Sequence, residues 1–424
     1  MAIDFPRMFK IRQNLPHADP IDIRASVQAQ LAQKLDAQIK TGGRIAIAVG
    51  SRGITNLQEV VSVTVDWLKG RGAVPFIVPA MGSHGGATPE GQAGVLADYG
   101  ITERSVGAPV RPAMEVKLLG RTDDGVDVHF STEALHADGI LLINRVKPHT
   151  DFSGGMGSGI LKMISVGLGK RMGANACHTA FMLRGHEQVI RKVANFILQC
   201  APILGGVAIL EGPLHETAGI TVLANEEIVS GEEQLFTQAK QLMPSLPFEE
   251  IDLLIVDQMG KNISGAGMDP NIIGRSVYGY TSQGPAVAAL SSVKVRRIFV
   301  RDLTPESHGN AVGIGLADLT TARLVRAMDH QAIYVNALTA LAPIIAKTPI
   351  YFETDHEAIT WGLASLGMPD TRAARVMRIA NTLALEVLEV SENYSGMIGA
   401  RKGITTVGEP GDMQFDSAQN LMPF

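Results

Sequence analysis

Short, β-branched apolar runs alternate with amphipathic stretches along this chain, and that alternation limits the folds open to it more than any other feature. RIAIAV at 44–49 is followed by a helical pattern from Asn56 to Gly70 and then by VPFIVP at 74–79, a βαβ rhythm. A further helix is expected to open at Thr88-Pro89-Glu90, where the threonine caps and the proline suits the first turn. GILLIN at 139–144 reads as the next clear strand, helices follow near 160–170 and 185–200, and GVAILEG reads as another strand. Such alternation predicts an α/β protein with mostly parallel, doubly wound sheets.

A chain of 424 residues is too long for one ordinary core and fits two domains. The proline-marked segment MPSLPFEE at 243–250 precedes IDLLIVD, which reads as the buried first strand of a new unit. The rhythm then repeats: VRRIFV at 295–300, a helix over about 310–328, AIYVNAL at 332–338 as a strand, and helices within 355–382. We therefore expect a cofactor-binding domain over 1–245 and a second α/β domain over 246–394, with an active-site cleft between them. The glycine-rich tail, about 395–424, is expected to pack back on the first domain.

The composition, 46% hydrophobic and 19% charged with 45 glycines, suits a packed α/β enzyme rather than a disordered or fibrous chain. A net charge of -5 without a long basic run argues against nucleic acid as a partner. Cys177 and Cys200 are too few for a disulfide framework, which points to a reducing, cytoplasmic setting. The first residues lack the apolar core of a signal peptide, and no apolar run reaches membrane-spanning length, so no membrane association is expected.

In open parallel sheets ligands bind beyond the carboxyl ends of the strands, and here polar and glycine residues follow strand after strand. GSRG at 50–53 offers backbone N–H groups, that of Ser51 among them, and one fixed cation, Arg52, a cradle for phosphate or carboxylate; the alternative is a tight turn with a surface arginine. GSHGGATPEGQ at 82–92 holds His84 between glycines directly after a strand, as a proton carrier or simply as a hydrogen-bonding group. From Asn144 to His178 the chain supplies Lys147, His149, Asp151, Lys162, Lys170 and His178 among seven glycines. Gly154 and Gly155 there offer bare N–H groups to an anion. Lys162 lies on the early, apolar part of a helix, where it is either a desolvated, reactive amine or a snorkelling side chain over an apolar face. The motifs of a zinc hydrolase, of a phosphate loop and of ordinary NAD binding are missing from the sequence.

Taken together, GSRG, GSHGGATPEGQ, PHTDFSGG, Lys162 and His178 resemble the nickel-pincer lactate racemase family, in the same order along the N-terminal half. The resemblance implies a nickel-bearing pyridinium-3,5-dithiocarboxylate mononucleotide attached through Lys162, with Lys170 as the alternative tether, and nickel coordinated by His178. It implies His84 and His149 as the acid and base on opposite sides of a 2-hydroxy acid, and Arg52 near cofactor and substrate. The implied activity is racemisation or epimerisation through a 2-keto intermediate, with cofactor-assembly enzymes as partners.

The second half resembles the family more loosely, through GKNISGAGMDPNIIGR and LTPESHGNAVGIGLADLTT. Lys261, Asp269, Asn271 and Arg275 are expected to face the cleft, with Lys261 and Arg275 as substrate-binding cations; the alternative is a glycine-rich loop held by Asp and Asn turns. Glu306 and His308 follow VRRIFV as weaker candidates, whereas Tyr394 and Trp361 read as packing residues. Two other readings stay open: a hydride-shuttling oxidoreductase or isomerase on a larger hydroxy acid, and a non-catalytic small-molecule or metal-binding relative.

Overall fold

The computed structural model describes residues 3–50, 53–150, 152, 154–278, 292–399, 401 and 403–423. The chain divides into two compact units, one of His17–His149 and Ser153–Met243, the other of Met1–Pro16, Thr150–Phe152 and Pro244–Phe424.

The first unit is built on a five-stranded sheet in the order Val74–Pro79, Arg44–Val49, Gly139–Arg145, Ile203–Glu211, Thr217–Ala224. The first four strands run parallel and the fifth returns antiparallel. RIAIAV reads apolar at nearly every position because both faces of its strand are covered. On one face Ile45, Ile47 and Val49 pack against Val60, Val61 and Leu68 of the helix Leu57–Gly70, with Val27 and Leu31 of the helix Ile23–Leu35 in the same core. On the other face Gly206 leaves room for Ile160, whose Cδ1 would lie 2.3 Å from a Cβ at that position. Each such aliphatic side chain, fully buried, contributes about 1.5–3 kcal/mol. The sheet is thus doubly wound, and its carboxyl edge carries Gly50, Ala80 to His84, and Lys147 to His149.

The second unit holds an eight-stranded sheet in the order Ile350–Phe352, Leu319–Thr321, Lys294–Leu303, Glu250–Met259, Val376–Ile379, Val387–Ser391, Met8–Gln13, Ile404–Gly411. Its first five strands are parallel and the last three are joined antiparallel. Several expectations need correction here. The break falls near 244, close to the expected 246, but residues 1–16 belong with the second unit because Met8–Gln13 pairs with Val387–Ser391. The tail pairs with that N-terminal strand, Lys10 opposite Val407, and so it extends the second sheet.

AIYVNAL is the helix His330–Thr339, capped by Asp329, which accepts the N–H of Ala332 at 3.1 Å. Its buried residues Ile333 and Ala337 stand four apart, a helical period, while Tyr334, Val335 and Leu338 are exposed. The stretch 310–328 is not one helix. Thr320 and Thr321 donate to the carbonyls of Val300 and Arg301 at 2.8 and 2.7 Å, so that Leu319–Thr321 is a strand, and Thr321 then caps the short helix Ala322–Ala327. Within 355–382 the helix Asp355–Ala364 is followed by the strand Val376–Ile379.

Candidate active site

Lys162 closes a short helical segment, Ile160–Lys162, that passes into a π-helical turn over Met163–Gly167. Turns of this kind cost regular hydrogen bonding and occur frequently at functional sites. The helix start is held from below by Glu232, a fully buried carboxylate on the helix Ile228–Leu242 that accepts the N–H of Leu161 at 3.0 Å. Burial pushes the Glu232 carboxyl up to about 7, against the backbone bonds from Leu161 and Ile160 and the charge of Arg191, which lower it. Gly159 permits this approach, since a Cβ there would lie 2.4 Å from Oε1 of Glu232. Asn144, at the end of its strand, donates to the Gly159 carbonyl at 2.8 Å.

His149 reaches Lys162 through a closed loop. Lys147 and Ser158 exchange backbone hydrogen bonds of 2.9 and 2.8 Å, so that the chain leaves the strand Gly139–Arg145 and returns beside itself. Gly157 is required at this closure: a Cβ would stand 2.3 Å from the Lys147 carbonyl. Both side chains are half-buried, and Nζ of Lys162 contacts Nε2 of His149 directly. A hydrogen bond between two nitrogen bases needs one donor and one acceptor, so the pair holds one shared proton position.

His84 is exposed on the loop that follows Val74–Pro79. Its N–H donates to Met81 and its carbonyl accepts from Nε2 of Gln92 at 3.3 Å. The helix Pro89–Asp98 begins as expected, with the Thr88 hydroxyl accepting the N–H of Gly91 at 3.1 Å. His178 is half-buried on the helix Lys170–Arg184 and meets the ring of Phe181 at 5.5 Å. Ala174 and His178 lie one turn apart on one face of the helix that Lys170 opens. Lys170 bonds the Pro79 carbonyl and Ala174 packs beside Gly82, so this face runs along the loop that leads to His84. Cys177, beside His178, is buried, and burial pushes its thiol up to about 12, which removes it as a nucleophile.

Among the other expected site residues, Ser51, Arg52 and Asp151 lie outside the described residues. Gly155 donates its N–H to Glu187 at 2.9 Å and Gly154 accepts from Lys240 at 2.9 Å, so both glycines are engaged with side chains of the protein itself. In the second unit Lys261 follows the strand Glu250–Met259 and donates to the Gly265 carbonyl at 2.7 Å. Arg275 is placed elsewhere: it pairs with Asp318 at 2.7 Å and lies near the Arg296 carbonyl, at the amino ends of Lys294–Leu303 and Leu319–Thr321. The structure therefore does not bring Arg275 to the strand edge that carries Lys261. Asp269 caps a short helix by accepting from the N–H and Nδ2 of Asn271 at 3.0 and 2.8 Å, the turn role that Asp and Asn fill in such loops. Glu306 and His308 are exposed beyond the end of Lys294–Leu303. Tyr394 is a packing residue, stacked on Phe248 at 4.3 Å, whereas Trp361 is exposed and only partly covered by Phe352.

Sequence reasoning passed over Glu232 and Gln92, the two buried polar groups that hold the Lys162 and His84 segments. Their only local signal is a polar residue on an otherwise apolar helix face.

Residues 11–190 match the family described as the lactate racemase N-terminal domain. No curated protein matches the chain. Among solved structures, the lactate racemase apoprotein from Thermoanaerobacterium thermosaccharolyticum is similar over 88% of this chain and 99% of that one, with a TM-score of 0.50 and 15% identity. A structural-genomics crystal structure from Thermotoga maritima is similar over 68% of this chain and 72% of that one, with a TM-score of 0.48 and 14% identity. At 15% identity the likeness to the apoprotein is one of fold. Among the described residues, no helix is long and apolar enough to cross a membrane. Lys162, His149, His84 and His178, on the loops and helices of a doubly wound sheet, all fall within the residues 11–190 that match the lactate racemase N-terminal domain, and the fold is similar to that of the lactate racemase apoprotein.

Proposed function

We propose that the protein racemises or epimerises a 2-hydroxy acid with the help of a nickel-pincer pyridinium nucleotide carried on Lys162. The observation that supports this reading most is the direct contact of Lys162 with His149 at the carboxyl edge of the sheet. The residues fit such a group. Lys162 offers a half-buried primary amine, and His178 supplies one imidazole donor, so a metal bound through it takes its remaining donors from the organic group. When bound, that group supplies a reversible acceptor for the hydride of the substrate carbon.

The chain's own residues do the proton chemistry. His149 and His84 stand on loops from two different strands, and each enantiomer needs a base within reach of its hydroxyl. One imidazole takes the hydroxyl proton as the carbon becomes planar, and the other returns a proton for the opposite hand. Arg52 is assigned to the carboxylate, since a guanidinium holds a carboxylate through paired hydrogen bonds. Cofactor-assembly enzymes are the partners this reading requires, and a cytoplasmic setting agrees with two free cysteines.

Intact-mass and nickel analysis of protein produced together with cofactor-assembly enzymes tests the proposal. An adduct is expected on Lys162, absent from Lys162→Ala and retained without nickel in His178→Ala. Racemisation by unmodified, nickel-free protein overturns it. A panel of 2-hydroxy acids separated on a chiral column then names the substrate.

A further inference from the structure

Lys170 combines three unfavourable features in one residue. It is fully buried, it carries a charge, and its backbone lies at φ 53°, in the left-handed region that favours glycine. Its neighbours Gly167, Gly169 and Gly173 show that glycine is freely used in this segment, so a lysine here calls for a reason. Observed backbone outliers of this kind cluster where the surrounding structure holds a functional geometry.

The reason lies in what the ammonium group touches. Nζ of Lys170 donates to the Pro79 carbonyl at 2.6 Å and to Oε1 of Gln92 at 3.1 Å. Gln92 is itself fully buried, and its Nε2 donates to the carbonyls of Gly82 and His84 at 2.9 and 3.3 Å. The amide thus accepts from the lysine on one side and donates to the loop on the other, which fixes which way it points. Pro79, Gly82 and His84 are the last strand residue and the loop that follows it, so one buried cation and one buried amide grip that loop at three carbonyls.

Close packing completes the grip. Gly82 donates its N–H to the Gly167 carbonyl at 3.0 Å, and a Cβ on Gly167 would stand 2.6 Å from the Ala80 carbonyl. Gly85 and Gly91 approach so closely that a Cβ on Gly91 would lie 1.9 Å from the Gly85 carbonyl. The loop therefore has little freedom once Lys170 and Gln92 are in place. Since Lys170 opens the helix Lys170–Arg184, the brace ties the His84 loop to the helix that carries His178.

We infer that Lys170 and Gln92 are positioning residues for His84: a buried ammonium–amide brace that sets where its imidazole stands relative to the Lys170–Arg184 helix. This inference rests on the reading of His84 as a proton carrier, and it gives Lys170 a role distinct from that of an attachment lysine. Glu115 is the charged group whose field favours the ammonium form, and the His129 carbonyl packs on Gly169 and Gly173 from the other side.

Amide hydrogen exchange of the full-length protein tests it. In Lys170→Met, amides within 80–92 are expected to exchange about tenfold faster or more, the effect of losing a charge-assisted hydrogen bond, while the core strand 44–49 is unchanged. Gln92→Met should reproduce the effect, and the double variant should add little, because both residues act through one network. Lys170→Arg should restore part of the protection. In cofactor-loaded protein, Lys170→Met should lower kcat with little change in KM, since no carboxylate-binding group is touched. Unchanged exchange in 80–92 overturns the inference; if Lys170→Met does not fold, Gln92→Met decides by the same measure. Full turnover by His84→Ala would instead refute the acid–base reading and leave the exchange result standing.

Discussion

Nζ of Lys162 lies against Nε2 of His149, thirteen positions earlier in the chain, across a loop that Lys147 and Ser158 close. If His149 serves the reaction and not the attachment of the cofactor, the two functions separate on substitution. His149→Gln is expected to keep the mass adduct on Lys162 while racemisation falls by about 100-fold or more, the usual contribution of a positioned acid or base. Intact-mass spectrometry and chiral chromatography on the same preparation measure both. Loss of the adduct together with activity would show that His149 is needed for attachment.

Glu232 makes stability depend on pH with a definite sign. Its carboxyl is pushed up to about 7 in the folded protein from 4.5, so between those values the folded chain binds the extra proton. Stability then declines as pH rises from 4.5 to 7, by up to roughly 3 kcal/mol from this group. Glu232→Gln keeps an acceptor for Leu161 without a charge to bury. Denaturant titrations across that window should show a flatter pH dependence in the variant and equal or greater stability at pH 7; a parallel decline in both proteins refutes the assignment.

What could be read from the sequence follows from how local the information is. The strand 44–49 was legible because a run covered on both faces is apolar throughout, and the helix after Thr88 because its cap and first-turn proline are adjacent in the chain. The His84 and Lys162 segments were legible because strand ends in such sheets are followed by polar, glycine-rich turns. AIYVNAL was misread because a short apolar run does not distinguish a strand from a helix by periodicity alone. Arg275 was misplaced because its partner Asp318 lies 43 positions away. Nor does any local pattern announce that Met8–Gln13 pairs with Ile404–Gly411, or that Glu232 caps Leu161, since those contacts form only when distant segments meet.

Lys170 has the opposite pH signature to Glu232. Burial lowers its ammonium from 10.5 to about 8, so between those values the unfolded chain binds the extra proton. Stability therefore rises with pH through that window. The difference in unfolding free energy between wild type and Lys170→Met should increase by up to about 3 kcal/mol from pH 8 upward. Measurements should stop near pH 10.0, where the buried hydroxyl of Tyr394, held protonated by burial, begins to favour the unfolded chain. A constant difference across the window would show that the ammonium is solvated.

Asp355 joins the tail of the chain to the second sheet through charge. It is fully buried and accepts from Nε of Arg301 at 2.7 Å, from Nη2 of Arg323 at 2.6 Å and from the N–H of Leu421 at 2.9 Å. Arg323 also donates to Oδ1 of Asn420 at 2.7 Å, so the last residues are held at two adjacent points. Asp355→Ala leaves the buried Arg301 with Asp257, at 3.1 Å, as its remaining carboxylate, so the cost should fall below the roughly 3–5 kcal/mol of a fully unpaired buried charge. Asp355→Asn keeps one oxygen as acceptor and should lose less. Urea titration gives both values, and limited proteolysis gives the location: in Asp355→Ala, cleavage within 412–423 should precede global unfolding. Cleavage spread evenly over the chain would show that Asp355 stabilises the sheet without anchoring the tail.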